Sequence, residues 1–200
     1  MVRSIVKMLS VSAVMGFASS AYALLNLDLD AKAGYRAIDV TYPGGARSQS
    51  QSAMEYTVGA SYGILFLPVA IYADLSSIHI DNPSLYDGLR DGVEVAAGVK
   101  AWVPGSLLMP VIGTNRIVPF AKIGHTLFGK YGDLSKKDDL HATSKGFNYH
   151  VGTKVELVPM IGMTVEYMYT ERKGSVGNTD NSSDYKSTIN AGLVGVEVSL

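Results

Sequence analysis

The sequence contains no cysteine, which excludes disulfide bonds, thiolate metal sites and a lipid anchor attached through an N-terminal Cys. It also lacks any run of 18 or more uninterrupted apolar residues, so no transmembrane helix is predicted, although the mean hydropathy of +0.16 is high. The 17 basic and 18 acidic residues are spread along the chain without a Lys/Arg cluster. The composition therefore gives no indication of nucleic-acid binding.

The N-terminus has the pattern of a secretion signal. Two basic residues precede a mostly apolar stretch over 8–18, and Ala21-Tyr22-Ala23 has the small residues of a cleavage site. We predict a signal peptide over 1–23, cleavage after Ala23 and a mature domain over 24–200. Secretion of this kind would carry the mature chain out of the bacterial cytoplasm.

Apolar residues occupy every odd position from Leu25 to Ala37, and charged, amide or glycine residues occupy every even one. A period of two is typical of a β-strand with one apolar and one polar face. Similar segments recur between turn-rich stretches, and plentiful Gly and Tyr favour strands over helices. The facing of the last segment stays open because its glycines fit either phase or a bulge. The predicted strands span about 25–40, 53–66, 69–77, 93–103, 117–128, 147–157, 163–172 and 186–200.

An even number of strands with alternating long and short links is typical of outer-membrane barrels, which cross the membrane with about ten tilted residues per strand. We therefore predict an all-β fold, an eight-stranded antiparallel up-and-down transmembrane β-barrel. Residues 104–115 form a longer link than this pattern expects. The predicted long links are 42–52, 77–91, 130–145 and 171–185, and the short links lie near 67–68 and 158–161.

The polar positions of these strands predict the lining of the lumen. Glycines share the polar positions, which suits a narrow tube that must hold long charged side chains. Because unpaired buried charges are costly, we expect a network of ion pairs that closes the tube, with a water-filled path as the alternative. The predicted lumen charge network is Asp28, Asp30, Lys32, Arg36, Glu55, Asp74, Glu94, Lys100, Lys122, His150, Lys154, Glu156 and Glu166, with Glu197 as a further candidate.

Tyrosines on the apolar positions cluster near the ends of the strands that meet long links. This placement predicts an aromatic girdle at a membrane interface. The competing interpretation is a soluble barrel with apolar residues inside, in which these rings are core aromatics. The predicted girdle residues are Tyr35, Tyr56, Tyr149, Tyr167 and Tyr169.

Several segments resemble the small eight-stranded outer-membrane β-barrel family, which includes the membrane domain of OmpA and OmpX. The resemblance implies assembly by the barrel-assembly machinery, for which the final Leu200 departs from the usual terminal Phe. Because the sequence ends at the eighth predicted strand, we expect that no periplasmic peptidoglycan-binding domain follows. The segments that carry the resemblance are 119–124 (PFAKIG), 147–152 (FNYHVG), 165–167 (VEY) and 195–200 (GVEVSL).

Some barrels of this size are enzymes that modify lipid A, and the deacylases among them carry a His-x-Ser motif. None of His79, His125, His141 and His150 is followed two residues later by Ser, which argues against deacylation. A palmitoyltransferase, which uses a dispersed His, Asp and Ser, stays open. The histidines offer no close ligand pair for a metal. We therefore expect neither a catalytic residue nor a cofactor.

The sequence favours a non-enzymatic outer-membrane protein with a structural or surface-interaction role. The expected partners are outer-membrane lipid, lipopolysaccharide and an unidentified surface partner that meets the charged outer links. These links include 136–139 and Glu171-Arg172-Lys173, which we expect to be mobile. A small passive channel and a lipid A-modifying enzyme are the alternatives.

Overall fold

The computed structural model describes residues 26–41, 48–64, 67–81, 91–104, 107–108, 114, 116–132, 141–178 and 181–200. The predicted signal peptide over 1–23 and the charged link 136–139 lie outside the described residues. No helix in the described ranges is long and apolar enough to cross a membrane. The strands are β1 (Leu27–Thr41), β2 (Ser48–Gly63), β3 (Val69–Ile80), β4 (Gly92–Trp102), β5 (Ile117–Tyr131), β6 (His141–Val158), β7 (Ile161–Asn178) and β8 (Asn181–Ser199).

The eight strands form one closed antiparallel barrel in sequence order. The last strand closes the sheet on the first, from Asp28 opposite Ser199 to Thr41 opposite Lys186. The predicted fold is thus confirmed. We call the end at which β1 joins β2, β3 joins β4, β5 joins β6 and β7 joins β8 the loop end. The opposite end, which holds Asn26 and Leu200, is the terminal end.

Around the middle of the barrel, apolar side chains point outward and form a continuous band. In β1, for example, Ala31, Ala33 and Tyr35 are exposed, and the alternation places Leu27 and Leu29 on the same surface. Valines and isoleucines continue the band on the other strands. Its most exposed aliphatic members include Val58, Ile71, Leu75, Ile123, Val151, Val165 and Val194.

Nearer the loop end, the polarity of the two faces reverses. The outward positions become polar, as in Asp39, Ser52 and His79, while the inward positions become apolar. The inward side chains pack into a core in the mouth of the tube, much as they would in a soluble barrel. This core contains Ile38, Val40, Ala53, Ile78, Ile80, Tyr131, Met168, Tyr185, Ile189 and Ala191.

The reversal explains why several strands are longer than predicted. The sequence pattern keeps its period of two past the band, but the apolar residues then occupy the opposite positions and no longer match the expected face. The prediction of a long link over 171–185 is wrong, because β7 continues to Asn178 and β8 begins at Asn181. The links before β2 and β6 are also shorter than predicted, because residues 48–52 and 141–146 extend these strands with mostly polar residues on both faces.

One bulge in β5 determines which side chains enter the mouth of the barrel. The pairing of β4 with β5 shifts between Val95 and Ala96, and Leu127 is the extra residue. Both Leu127 and Phe128 are therefore exposed, and Tyr131 points inward. His125, just before the bulge, lies on the outer face with its ring edge-on to Phe147 at 5.1 Å between ring centroids.

The facing of β8, which the sequence left open, is resolved by its regular pairing with β1 and β7. Odd-numbered residues point inward, so Leu193 and Glu197 are buried, whereas Val194 and Val196 are exposed. The short link between β6 and β7 is a tight turn in which Met160 has a φ of 74°.

Candidate functional site

The lumen below the apolar core is filled with charged side chains, and one glycine shows how closely they pack. Asp30, Gly59 and Asp74 occupy one rung of three neighbouring strands. A Cβ atom at Gly59 would lie 2.7 Å from Oδ1 of Asp30 and still closer to the Asp74 carboxylate. The absence of a side chain at residue 59 therefore makes room for two carboxylates.

The charged group nearest the loop end is the arginine cluster (Arg36, Arg172, Glu55, Glu94 and Tyr131). Arg36 binds Glu55 through two contacts, with Nε to Oε2 at 2.9 Å and Nη2 to Oε1 at 2.7 Å. Its Nη1 also donates to Oε2 of Glu94 at 3.1 Å. Two parallel bonds between a guanidinium and a carboxylate are among the stronger charged contacts in proteins.

Glu94 is the shared acceptor of the arginine cluster. Arg172 Nη2 lies 2.8 Å from Glu94 Oε2, and its Nη1 contacts Oε1. The Tyr131 hydroxyl donates to the same carboxylate and accepts a bond from Arg172 Nη1 at 3.0 Å.

The lysine cluster lies one level lower and brings together both signs of charge. Lys32 Nζ lies 3.1 Å from Asp30 and 3.2 Å from Glu166. Lys122 Nζ lies 3.4 Å from both Asp74 and Glu166 and sits 4.9 Å from the centroid of the Tyr72 ring. His150 Nδ1 is 2.5 Å from Glu166 Oε1. The members of the lysine cluster are Asp30, Lys32, Asp74, Lys122, His150 and Glu166.

At the terminal end, Glu197 accepts contacts from two lysines, Lys100 at 2.7 Å and Lys154 at 2.8 Å. The Phe120 ring lies under the Lys100 ammonium at 5.2 Å. Beneath this Glu197 cluster (Glu197, Lys100 and Lys154) opens a vestibule of about 270 Å³, which Asp28 and Glu156 help to line.

The charges of the three clusters nearly balance. The arginine cluster has two cations and two anions, and the Glu197 cluster has two cations and one anion. The lysine cluster has two ammonium groups and three carboxylates, beside His150. Because nearly all of these side chains are buried, each depends on its partners to offset the loss of hydration.

The structure places most of the residues predicted for the lumen in these clusters, but Asp28 and Glu156 lie apart. Asp28 is half-buried and accepts a 3.5 Å bond from the Ser61 hydroxyl. Glu156 is exposed, and its backbone amide donates to the carbonyl of Arg116. Neither carboxylate forms an ion pair within the described residues.

Arg172 and Tyr131 are the cluster members that the sequence reasoning missed. Arg172 was expected in a mobile outer link, which is wrong, since it is a buried residue of β7. A signal was available, because Arg172 continues the inward series of Glu166, Met168 and Thr170. Tyr131 had no comparable signal, since its facing depends on the bulge at Leu127.

The predicted girdle tyrosines all lie on the outer face. Tyr35 and Tyr56 are exposed on β1 and β2, and the other three are on β6 and β7. Tyr149 and Tyr169 lie 6.5 Å apart between ring centroids. The hydroxyl groups of Tyr167 and Tyr169 donate to Asn190 at 2.5 Å and Glu171 at 2.7 Å. The rings of Tyr167 and Tyr169 therefore combine an apolar body with a hydroxyl that has a polar partner.

Metal binding has no support in the described part of the chain, where no three His, Cys, Asp or Glu side chains are grouped to hold an ion. The chemistry that the lumen does offer is charge pairing between side chains, and among the described residues Asp74 Oδ1, His150 Nε2 and Arg172 Nε are buried without a hydrogen-bond partner.

The comparisons with known proteins bear on the fold alone. No protein-family model and no curated protein sequence matches the chain. Among solved structures, Neisserial surface protein A (NspA) is similar with a TM-score of 0.53 and 16% identity, covering 88% of this chain and 97% of that one. The outer membrane protein OprG from Pseudomonas aeruginosa has a TM-score of 0.48 and 13% identity, covering 86% and 95%. Ail of Yersinia pestis has a TM-score of 0.45 and 11% identity, covering 88% and 99%. The fold is that of the small eight-stranded outer-membrane β-barrels.

Proposed function

We propose that this protein is a non-enzymatic, integral outer-membrane barrel whose lumen is closed by its charge network. The observation that carries the proposal is that one barrel has both an exposed apolar band on its outer surface and a lumen filled by three clusters of buried charges that bind one another. A lipid environment satisfies such a band, and a filled lumen leaves the outer surface as the interacting part of the molecule. Its role would then be envelope structure or surface interaction.

The apolar band is the main argument for a membrane. Large side chains such as Val58 and Val151 are 60% and 59% exposed, and similar residues continue on every strand. Soluble monomers rarely expose apolar patches of more than a few hundred Å². The chemical explanation is that acyl chains cover this surface.

The clusters are the main argument for closure. Several of these ion pairs join strands that are not neighbours, so the side chains cross the lumen. Arg36 of β1 meets Glu94 of β4, and Lys122 of β5 meets both Asp74 of β3 and Glu166 of β7. A permeation path would need these pairs to separate, and separating a buried pair costs about 3–5 kcal/mol for each partner removed.

The first experiment tests membrane insertion and closure together. Full-length protein from the membrane fraction should migrate differently on SDS gels before and after heating. In planar bilayers it should give no conductance above the lipid background, with a known porin as positive control. A soluble, heat-insensitive protein would overturn the barrel proposal, and steady single-channel currents would overturn closure in favour of a passive channel.

The absence of enzymatic activity has its own test. Lipid A from cells with and without the protein should give identical acylation patterns by mass spectrometry. A change in acylation would replace this proposal with a lipid A-modifying enzyme.

N-terminal sequencing of the mature protein should begin at Leu24 if export removes residues 1–23.

A further inference from the structure

Three lysines lie side by side on the outer surface near the loop end. Lys145 of β6 is opposite Lys173 of β7, and Lys173 is opposite Lys186 of β8. Thr41 of β1 is the next residue around the barrel, opposite Lys186. We call Lys145, Lys173 and Lys186 the lysine rung.

This arrangement is unfavourable for the barrel on its own. Neighbouring strands are about 5 Å apart, and like charges placed directly opposite each other destabilise a sheet. Screening at physiological salt acts over about 8 Å, so it does not remove the repulsion. All three lysines are exposed, and none forms an ion pair within the described residues.

The nearest carboxylates do not neutralise the rung. Glu171 lies one outward position below Lys173, but it accepts the hydroxyl of Tyr169 at 2.7 Å. Asp184 lies beyond the rung, opposite Ser175. Asp39 of β1, opposite Thr188, is the third nearby acid and accepts the Ser50 hydroxyl. The patch therefore has three cations and three anions, but none of these carboxylates forms an ion pair with a rung lysine within the described residues, so the three ammonium groups remain open to an external anion.

The rung also lines an open cleft of about 700 Å³. Hydroxyl groups stand beside the lysines in this cleft, so ammonium and hydroxyl donors can converge on one group of oxygen atoms. This is the donor set that a phosphate group prefers. The cleft is lined by Thr41, Thr143, Ser144, Lys145, Lys173, Gly174, Ser175, Asp184, Tyr185 and Lys186.

The position of the rung relative to the apolar band indicates where the phosphate comes from. The pair Tyr149 and Tyr169 marks the edge of the band, and the rung lies two outward positions farther along β6 and β7. At about 3.3 Å per residue, this distance corresponds to roughly 13 Å along the strand. A lipid whose acyl chains cover the band would therefore hold its headgroup at the level of the cleft.

We propose that the lysine rung binds the phosphate of a phosphorylated glycolipid in the outer leaflet. The inference rests on the proposed function, because it requires the apolar band to lie in that membrane. The side of the barrel formed by β3 and β4 differs at its loop end, where Asp81 and Asp91 are the charged groups near His79. The lipid site is thus confined to β6, β7 and β8.

The test measures binding of purified bisphosphorylated lipid A to the full-length protein in detergent by native mass spectrometry. The variant K145Q/K173Q/K186Q should bind at least about tenfold more weakly than the wild type. K145R/K173R/K186R should retain binding, since it keeps the charge. Arg116→Gln, which removes an exposed cation at the terminal end, is the matched control and should bind normally.

Two ligand comparisons identify the source of the phosphate. Dephosphorylated lipid A should bind about as weakly to the wild type as intact lipid A binds to the triple Gln variant. Millimolar inorganic phosphate should not displace bound lipid A. The proposal is overturned if the triple Gln variant binds lipid A as tightly as the wild type does, or if the wild type binds dephosphorylated lipid A as tightly as intact lipid A. Displacement of bound lipid A by inorganic phosphate would assign the cleft to free anions instead.

Stability separates a lipid site from a merely structural role. In lipid-free detergent, the triple Gln variant should unfold at the same or a higher urea concentration than the wild type, because like charges have been removed. A lower midpoint would assign the lysines a structural role. Every variant should also show heat-modifiable migration on SDS gels, which tests the proposed function on its own. A variant that inserts normally but shows no preference for phosphate contradicts only the lipid site and leaves the proposed function standing.

Discussion

Glu94 is bound by two arginines and a tyrosine, all of them buried. A single carboxylate therefore offsets much of the desolvation of both guanidinium groups. Removing one partner of a buried ion pair leaves an uncompensated charge, which costs more than the pair contributes as a whole.

Substitution Glu94→Gln should lower the free energy of unfolding by about 3–5 kcal/mol, because Arg36 and Arg172 lose their shared anion. Urea unfolding in lipid vesicles, followed by the fluorescence of Trp102, measures the effect. Asp28→Asn is the matched control, since Asp28 is half-buried and unpaired, and it should change stability little. Equal midpoints for both variants would show that the arginine cluster does not stabilise the barrel.

Gly59→Ala should destabilise the barrel by about 1–3 kcal/mol, the usual cost of overpacking, because the new methyl group meets the carboxylates of Asp30 and Asp74. Gly192→Ala provides the control, since a Cβ at that outward position has no atom within 4 Å. Comparison of their urea midpoints tests the packing. The idea fails if the two alanine variants are equally stable.

At the scale of single strands, the bulge in β5 makes an unusual deletion tolerable. In a regular strand, loss of one residue turns every side chain beyond it to the other face. Leu127 is the extra residue of a bulge, and its neighbour Phe128 also points outward. Without Leu127, Phe128 takes its place and Tyr131 still points inward.

Deletion of Leu127 should therefore leave heat-modifiable folding intact. Deletion of Val165, in a regular part of β7, should abolish it, because Glu166 and Arg172 both lie beyond the deletion and would turn from the lumen to the outer face. Gel migration of the two variants from membrane fractions is the readout. Failure of both deletions to fold would mean that the bulge itself is required.

The ends of the strands show what the sequence could and could not provide. Alternation alone located eight strands and the inward facing of β1, including Asp30, Lys32 and Arg36. It did not locate the loop-end parts of β6, β7 and β8, because residues 141–146, 171–178 and 181–184 are mostly polar on both faces and show no apolar alternation. Ion-pair partners were also out of reach, since which charges meet across the tube depends on the register of all eight strands.

The extension of β7 and β8 predicts resistance to trypsin. Lys173 and Lys186 are exposed, but their backbones lie in paired strands, so neither peptide bond can enter a protease without local unfolding. Mass spectrometry of intact membranes treated with trypsin should find no cleavage after either lysine, whereas heat-denatured protein is cut at both. Rapid cleavage of the folded barrel would show that this region is a mobile loop after all.

At the scale of the whole molecule, two classes of charge coexist. The clusters in the lumen are buried and paired, whereas the lysine rung is exposed. Screening shortens from about 10 Å at 0.1 M salt to about 3 Å at 1 M, but it acts mainly on exposed charges.

Raising NaCl from 0.1 M to 1 M should therefore change the free energy of unfolding by less than about 1 kcal/mol while it weakens binding of lipid A to the rung. The same preparation serves both measurements, urea unfolding and native mass spectrometry. A large loss of stability at high salt would mean that solvent reaches the lumen charges, and this result would count against a closed tube.

The reversal of polarity along the barrel has a consequence for how deeply the molecule sits in a bilayer. A shift inward would move Lys173 and Lys186 toward the hydrocarbon, where a lipid-facing cation costs about 2–4 kcal/mol at the midplane and about 0–1 near the interface. A shift outward would expose apolar side chains such as Val151 to water. Both displacements raise the free energy, so the sequence of the strands itself sets the immersion depth.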